Sequence, residues 1–154
     1  MRTRSFVISA TLIFVLVLAL AVIAMAADNP FVGTWKMNPA KSKFSNPAFK
    51  SYTITLTDTT GAEAIVDADG KAMQRSWTGK CDGKDFPMTA PDVDTQSCTQ
   101  PNANTVDYVC KKNGKVVWSG RTVVSKNGKT QINKGGGKDE KGKAFTYTIF
   151  LEKK

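Results

Sequence analysis

Five short turn triplets recur through the second half of this chain: Asp69-Gly70-Lys71, Asp82-Gly83-Lys84, Asn113-Gly114-Lys115, Asn127-Gly128-Lys129 and Lys141-Gly142-Lys143. A two-residue hairpin needs positive φ at its centre, which Asn-Gly and Asp-Gly tolerate, so each triplet predicts two antiparallel strands joined tightly. The runs between the turns alternate as half-buried strands do. Tyr52, Ile54 and Leu56 share a face of 50–57, and Met73, Arg75 and Trp77 share a face of 72–80. Phe145, Tyr147, Ile149 and Leu151 share a face of 144–152. Further strands are expected at 31–36, 62–68, 85–89, 95–99, 105–111, 115–125 and 130–134, and no window sustains a helical period. Residues 38–47 read as a loop and the glycines at 135–137 as a mobile tip. The predicted class is all-β, an antiparallel up-and-down meander. Consecutive hairpins hide their edges most simply by closing, here into a barrel of eight to ten strands. Such an interior holds packed side chains or one small ligand.

The first 26 residues follow a different plan. Arg2 and Arg4 precede an apolar run over residues 6–24, and Ala24-Met25-Ala26 has the small-x-small form that is cut before Ala27. Residues 1–26 are therefore expected to be an export signal, leaving 27–154 as one domain in the periplasm or outside the cell, with no stable membrane insertion after cleavage. The alternative is a retained anchor, because the run is long enough to span a bilayer. Removing Arg2 and Arg4 leaves 20 basic against 13 acidic side chains. The lysines are scattered among the turns, where a solvated lysine protects a sheet edge. Nucleic-acid surfaces gather their charge on one face with stacking aromatics between, so no nucleic-acid partner is expected. Acidic glycans or lipids are the alternative partners for the basic loops.

Cys81, Cys98 and Cys110 allow one disulfide and leave one thiol over. Cys98 and Cys110, which flank the turn at 101–104, are the expected pair. With no histidine and no short-spaced thiols, neither a metal nor a cofactor is expected. The commonest general base is missing as well, which argues against an enzyme. The acidic pairs Asp67/Asp69 and Asp92/Asp94 fall at turns, where aspartate serves local hydrogen bonding.

Gly33-Thr34-Trp35 resembles the Gly-x-Trp signature that opens lipocalins. Residues 29–44 as a whole resemble the start of small secreted bacterial lipocalin-like proteins of uncharacterised function. The resemblance implies a calycin-type barrel in which Gly33 allows close packing and Trp35 plugs one end. It also implies an arginine covering that tryptophan, for which Arg121 is the candidate.

Candidate ligand contacts are the large side chains that alternation aims inward. Tyr52, Ile54, Met73 and Trp77 come from the first half, Tyr108, Trp118 and Tyr147 from the second. Aromatic bodies with polar tips suit an apolar pocket that holds a few orienting groups. Arg75 and Arg121 join them, because an inward guanidinium needs a carboxylate or attracts an anionic head group. The expected function is binding of a small apolar or amphipathic molecule by a monomer. A filled structural core, or a basic interaction module, is the alternative.

Overall fold

The computed structural model describes residues 29–139 and 141–154, and the export signal expected at 1–26 lies outside the described residues. The strands are β1 (Gly33–Met37), β2 (Lys43–Phe44), β3 (Ser51–Leu56), β4 (Thr60–Val66), β5 (Ala72–Thr78) and β6 (Asp82–Thr89), followed by β7 (Thr95–Asn102), β8 (Thr105–Lys112), β9 (Lys115–Val124), β10 (Thr130–Lys138) and β11 (Ala144–Lys153). From β3 onward each pairs antiparallel with the next, and β1 joins β3 to β11, so ten strands close a barrel with β2 as an extra piece. Closure pairs both edges that an open meander would expose.

The closing seam is one interrupted strand. Met37 registers with Leu151, and after a 3₁₀ turn at Pro39–Lys41 the chain rejoins the same neighbour at Lys43 and Thr148. Across the gap the Ser42 hydroxyl donates to the Asn38 carbonyl at 2.8 Å and accepts from the Phe150 N–H at 3.0 Å. A side chain thus satisfies the ladder group that the excursion leaves behind. Pro39 opens the turn, where its missing N–H costs nothing.

Besides the short strand β2 inside the expected loop at 38–47, the turns, the disulfide and the glycine run depart from expectation in four respects. First, only Asn113-Gly114 is a two-residue reversal with both φ angles positive, at +51° and +74°. At Asp67, Ser125 and Asp139 the carbonyl accepts from the N–H three residues on, and Gly70, Gly128 or Gly142 then supplies the positive φ. These are wider type I reversals closed by glycine, and Asp67 and Asp139 hold theirs by accepting two backbone N–H bonds each.

Second, Asp82-Gly83 is no turn. The chain reverses at residues 79–81, and Gly83, at φ +85°, sits within β6 where its register against β7 slips between Asp82 and Asp85. An Asp-Gly pair makes a bulge as readily as a reversal, because both use the same left-handed glycine.

Third, the disulfide is Cys81–Cys98, which corrects the expected Cys98–Cys110 pairing. On β7 and β8, Cys98 lies opposite Tyr108 and Cys110 opposite Gln96. The two cysteines are therefore diagonal neighbours, roughly 7–8 Å apart in an ideal pair and beyond the reach of a disulfide. Cys110 stays free and buried. A formed disulfide belongs to an oxidising compartment. Replacing Cys81 and Cys98 together by serine releases a loop with a sequence separation of 17. The expected loss of unfolding free energy is about 3 kcal/mol. Urea denaturation checks this, and a loss below about 1 kcal/mol would mean that native strain offsets the cross-link.

Fourth, the glycines at 135–137 form no mobile tip but lie in β10, registered against β9 and β11 on either side. A Cβ at Gly136 or Gly137 would meet the carbonyl of Phe145 or Val117, so the neighbouring backbones close over them.

Two clusters cap the interior. At the end where β1 starts and β11 finishes, Trp35 packs with Phe31, Met37, Ile54, Val124 and Leu151. At the other, Val93 of the loop at residues 90–94 packs onto Met88 and Cys110.

Candidate functional site

Inside the barrel lies a cavity of about 660 Å³. That is within the range of small-molecule pockets, roughly 300–1,000 Å³. A repeated local device keeps it open. Gly61 faces Trp77 across β4 and β5, Gly120 faces Tyr108 across β8 and β9, and Gly135 faces Tyr147 across β10 and β11. A Cβ at any of the three would overlap the partner's ring. Each aromatic therefore lies across a bare stretch of backbone and forms wall, where a larger opposite residue would push it toward the barrel axis.

A buried ionic group occupies the wall between β4, β5 and the 90–94 loop. Counting outward from the Asp69-Gly70 turn, Glu63 falls opposite Arg75. The Arg75 guanidinium donates through Nη1 to Glu63 at 3.0 Å, and through Nε and Nη2 to Asp92 at 3.0 and 2.6 Å. Its central carbon Cζ lies over the Trp118 ring, 4.9 Å from the ring centre. The Tyr52 hydroxyl donates to the second Glu63 oxygen at 2.8 Å. Side-chain exposure is 12% for Arg75, 13% for Glu63 and 33% for Asp92. Burial alone would lower the Arg75 pKa, but the Asp92 hydrogen bonds and the charges of both carboxylates outweigh it and hold the group above its ordinary value. The bridge also replaces missing backbone pairing, since β5 and β6 register only at Ser76–Thr89 and Trp77–Met88.

A second polar group spans β8, β10 and β11. Tyr108 donates to Asn133 Oδ1 at 2.6 Å, and its hydroxyl meets that of Tyr147. Burial raises the pKa of Tyr147 to about 12 and that of the Cys110 thiol to about 12, with the Glu63 charge adding to the effect on Cys110. Burial pushes Tyr52 and Tyr108 well above the usual phenol value too. In the unfolded chain a thiol ionises near pH 9 and a phenol near pH 10. Above that the folded state binds more protons than the unfolded state, so stability falls with rising pH through the window up to about 12. Below it both states keep these protons and the contribution is constant. Melting temperatures are thus expected to be insensitive to these groups from neutrality to about pH 9 and to drop beyond it, together with tyrosinate absorbance. A transition that tracks tyrosinate formation at the free phenol value would show that these rings are solvated.

Tyr52, Ile54, Met73, Arg75, Trp77, Tyr108, Trp118 and Tyr147 all line the cavity. Arg121 does not. It lies on the outer face in an exposed ion pair with Asp107, so it neither lines the interior nor covers Trp35. Lys153 takes that place, its Nζ 5.0 Å from the Trp35 ring centre. Gly33 sits beneath the same lysine at φ +131°, a conformation and a space that only glycine fits comfortably. The indole N–H of Trp35 donates to the Phe31 carbonyl at 2.8 Å. Glu63, Asp92, Asn133 and Gln131 were not among the expected site residues. For Glu63 a signal existed, because the inward register of β4 can be counted from the turn. For Asp92, in an irregular loop, there was none.

The fold and site define a closed ten-stranded antiparallel β-barrel with a polar-studded interior cavity of ligand size. No protein-family model matches the chain, and no curated protein matches it in sequence.

Proposed function

We propose that this protein is an exported, monomeric, lipocalin-like binding protein that takes one small apolar or amphipathic molecule into its barrel. The observation that carries this reading is the cavity of about 660 Å³, held open by the glycine–aromatic pairs. The apolar body of a ligand is desolvated against Ile54, Met73, Phe86 and Met88, and the polar groups around Arg75 and Tyr108 orient it. Gly33 and Trp35 at the start of β1, with a basic side chain over the indole, support the lipocalin likeness. The Cys81–Cys98 disulfide supports a periplasmic or extracellular location. The absence of histidine favours binding over acid–base catalysis.

Titration with the uncharged probe N-phenyl-1-naphthylamine tests the reading, because Trp77 and Trp118 line the cavity and report on its contents. Saturable one-to-one quenching, little changed by salt, is the expected result. Met73→Trp fills part of the cavity and is expected to weaken binding on the order of tenfold. No saturable binding by the probe would overturn the proposal. Binding that collapses as salt rises would overturn it too, in favour of the basic loops contacting acidic glycans or lipids.

A further inference from the structure

We infer that the cavity selects cationic amphiphiles, of the alkylamine or alkylammonium class, over neutral and anionic molecules with the same apolar chain. This rests on the binding reading above and adds the charge of the ligand to it. The overall charge points the other way, since the chain is formally +9 and ought to favour anions. The wall differs from the surface. At its rims Lys80, Lys112 and Lys138 are matched by Asp58, Asp82 and Asp139, and at its centre Glu63 and Asp92 face the single cation Arg75. The centre therefore carries one surplus negative charge.

Hydrogen-bonding capacity leans the same way. A carboxylate accepts at about four lone-pair positions. Glu63 uses one for Tyr52 and one for Arg75, and Asp92 uses two for Arg75, so both have capacity left. Gln131, only 3% exposed, also faces this interior, and its Oε1 is buried without a partner. A buried acceptor left unmatched is costly, and a ligand N–H relieves it. Several donors that an anion would use are already committed: Tyr52 to Glu63, Tyr108 to Asn133, and three of the five N–H groups of Arg75 to the carboxylates. The rings supply the rest of a cation site. The Arg75 guanidinium already rests against Trp118, and Trp77, Tyr108 and Tyr147 offer further aromatic surface around the same cavity.

The test compares three probes of one chain length, dodecylammonium, dodecanol and dodecanoate, each below its micelle concentration or solubility limit and at low and high salt. Tryptophan quenching and calorimetry give the affinities. The ammonium is expected to bind on the order of tenfold tighter than the alcohol, and the carboxylate weakest. The order should survive high salt, because buried charges are screened little. Glu63→Gln removes the surplus charge and is expected to bring the ammonium within about threefold of the alcohol. Asp92→Asn, at a more exposed position, repeats the test should Glu63→Gln fail to fold. Equal binding of all three probes overturns the charge inference and leaves the binding function standing. Tightest binding by dodecanoate at high salt overturns it as well. Failure of every probe to bind brings down both readings together.

Discussion

Arg75→Met is expected to destabilise the barrel by about 3–5 kcal/mol, with the lower end favoured by the partial exposure of Asp92. The cause is what the substitution leaves behind. Glu63 and Asp92 would remain on the wall with their shared counter-ion gone, and an uncompensated buried charge costs more than the intact pair contributed. The backbone offers little support, because β5 and β6 register at only two positions and the guanidinium ties the 90–94 loop to β5. Faster hydrogen exchange in that loop is therefore expected alongside the shifted urea midpoint. Combining Arg75→Met with Glu63→Gln and Asp92→Asn should restore much of the loss, since no charge is then stranded. A single-variant loss below about 1 kcal/mol would show that water reaches the cluster and screens it.

Trp35→Ala is expected to cost about 3–5 kcal/mol, by a different mechanism. Trp35 is fully buried, at 0% exposure, in the end cluster where the first and last strands meet. Truncation leaves a void that rigid strands cannot collapse around, and it strips the Phe31 carbonyl of its indole donor. Lys153 would lose the ring beneath it. Against a typical domain stability of roughly 5–15 kcal/mol this is a large fraction, so cooperative unfolding should weaken measurably at ambient temperature. Trp35→Phe separates the two terms. It keeps most of the packing and loses the hydrogen bond, and about 1–2 kcal/mol is expected. Near-equal losses for the two variants would mean that the hydrogen bond, and not the volume, dominates.

The inward set was readable wherever a strand is regular and its turn is marked. On β5 the period of two placed Met73, Arg75 and Trp77 inward, and on β11 it did the same for Tyr147. Reading failed where a residue's meaning depends on a neighbour distant in sequence. Arg121 has the same chemistry as Arg75 and lies on a strand with alternation of its own. Its register opposite Asp107 puts it outside, between Gly120, which lies against the inward Tyr108 ring, and the cavity-lining Thr122. The glycines at 135–137 looked like a flexible tip because glycine is common in turns, yet the Tyr147 ring and the flanking strands explain them. The disulfide was misassigned because proximity in sequence across a turn does not give the diagonal offset between strands.

By itself the sequence determined the class: alternating runs and glycine turns oblige consecutive antiparallel strands, and a long meander of that kind hides its edges by closing. It also determined most of the interior faces, since the period of two is a local property of the backbone. Only the tertiary structure decided that the interior is hollow. Whether a ring fills the axis or lies on the wall depends on what stands opposite it on the next strand, and Gly61, Gly120 and Gly135 leave room for the wall position. The same holds for charge. The sum over the chain is strongly positive, but the interior excess is negative, because the fold brings Glu63 from β4 and Asp92 from a loop onto one arginine and leaves most of the lysines outside.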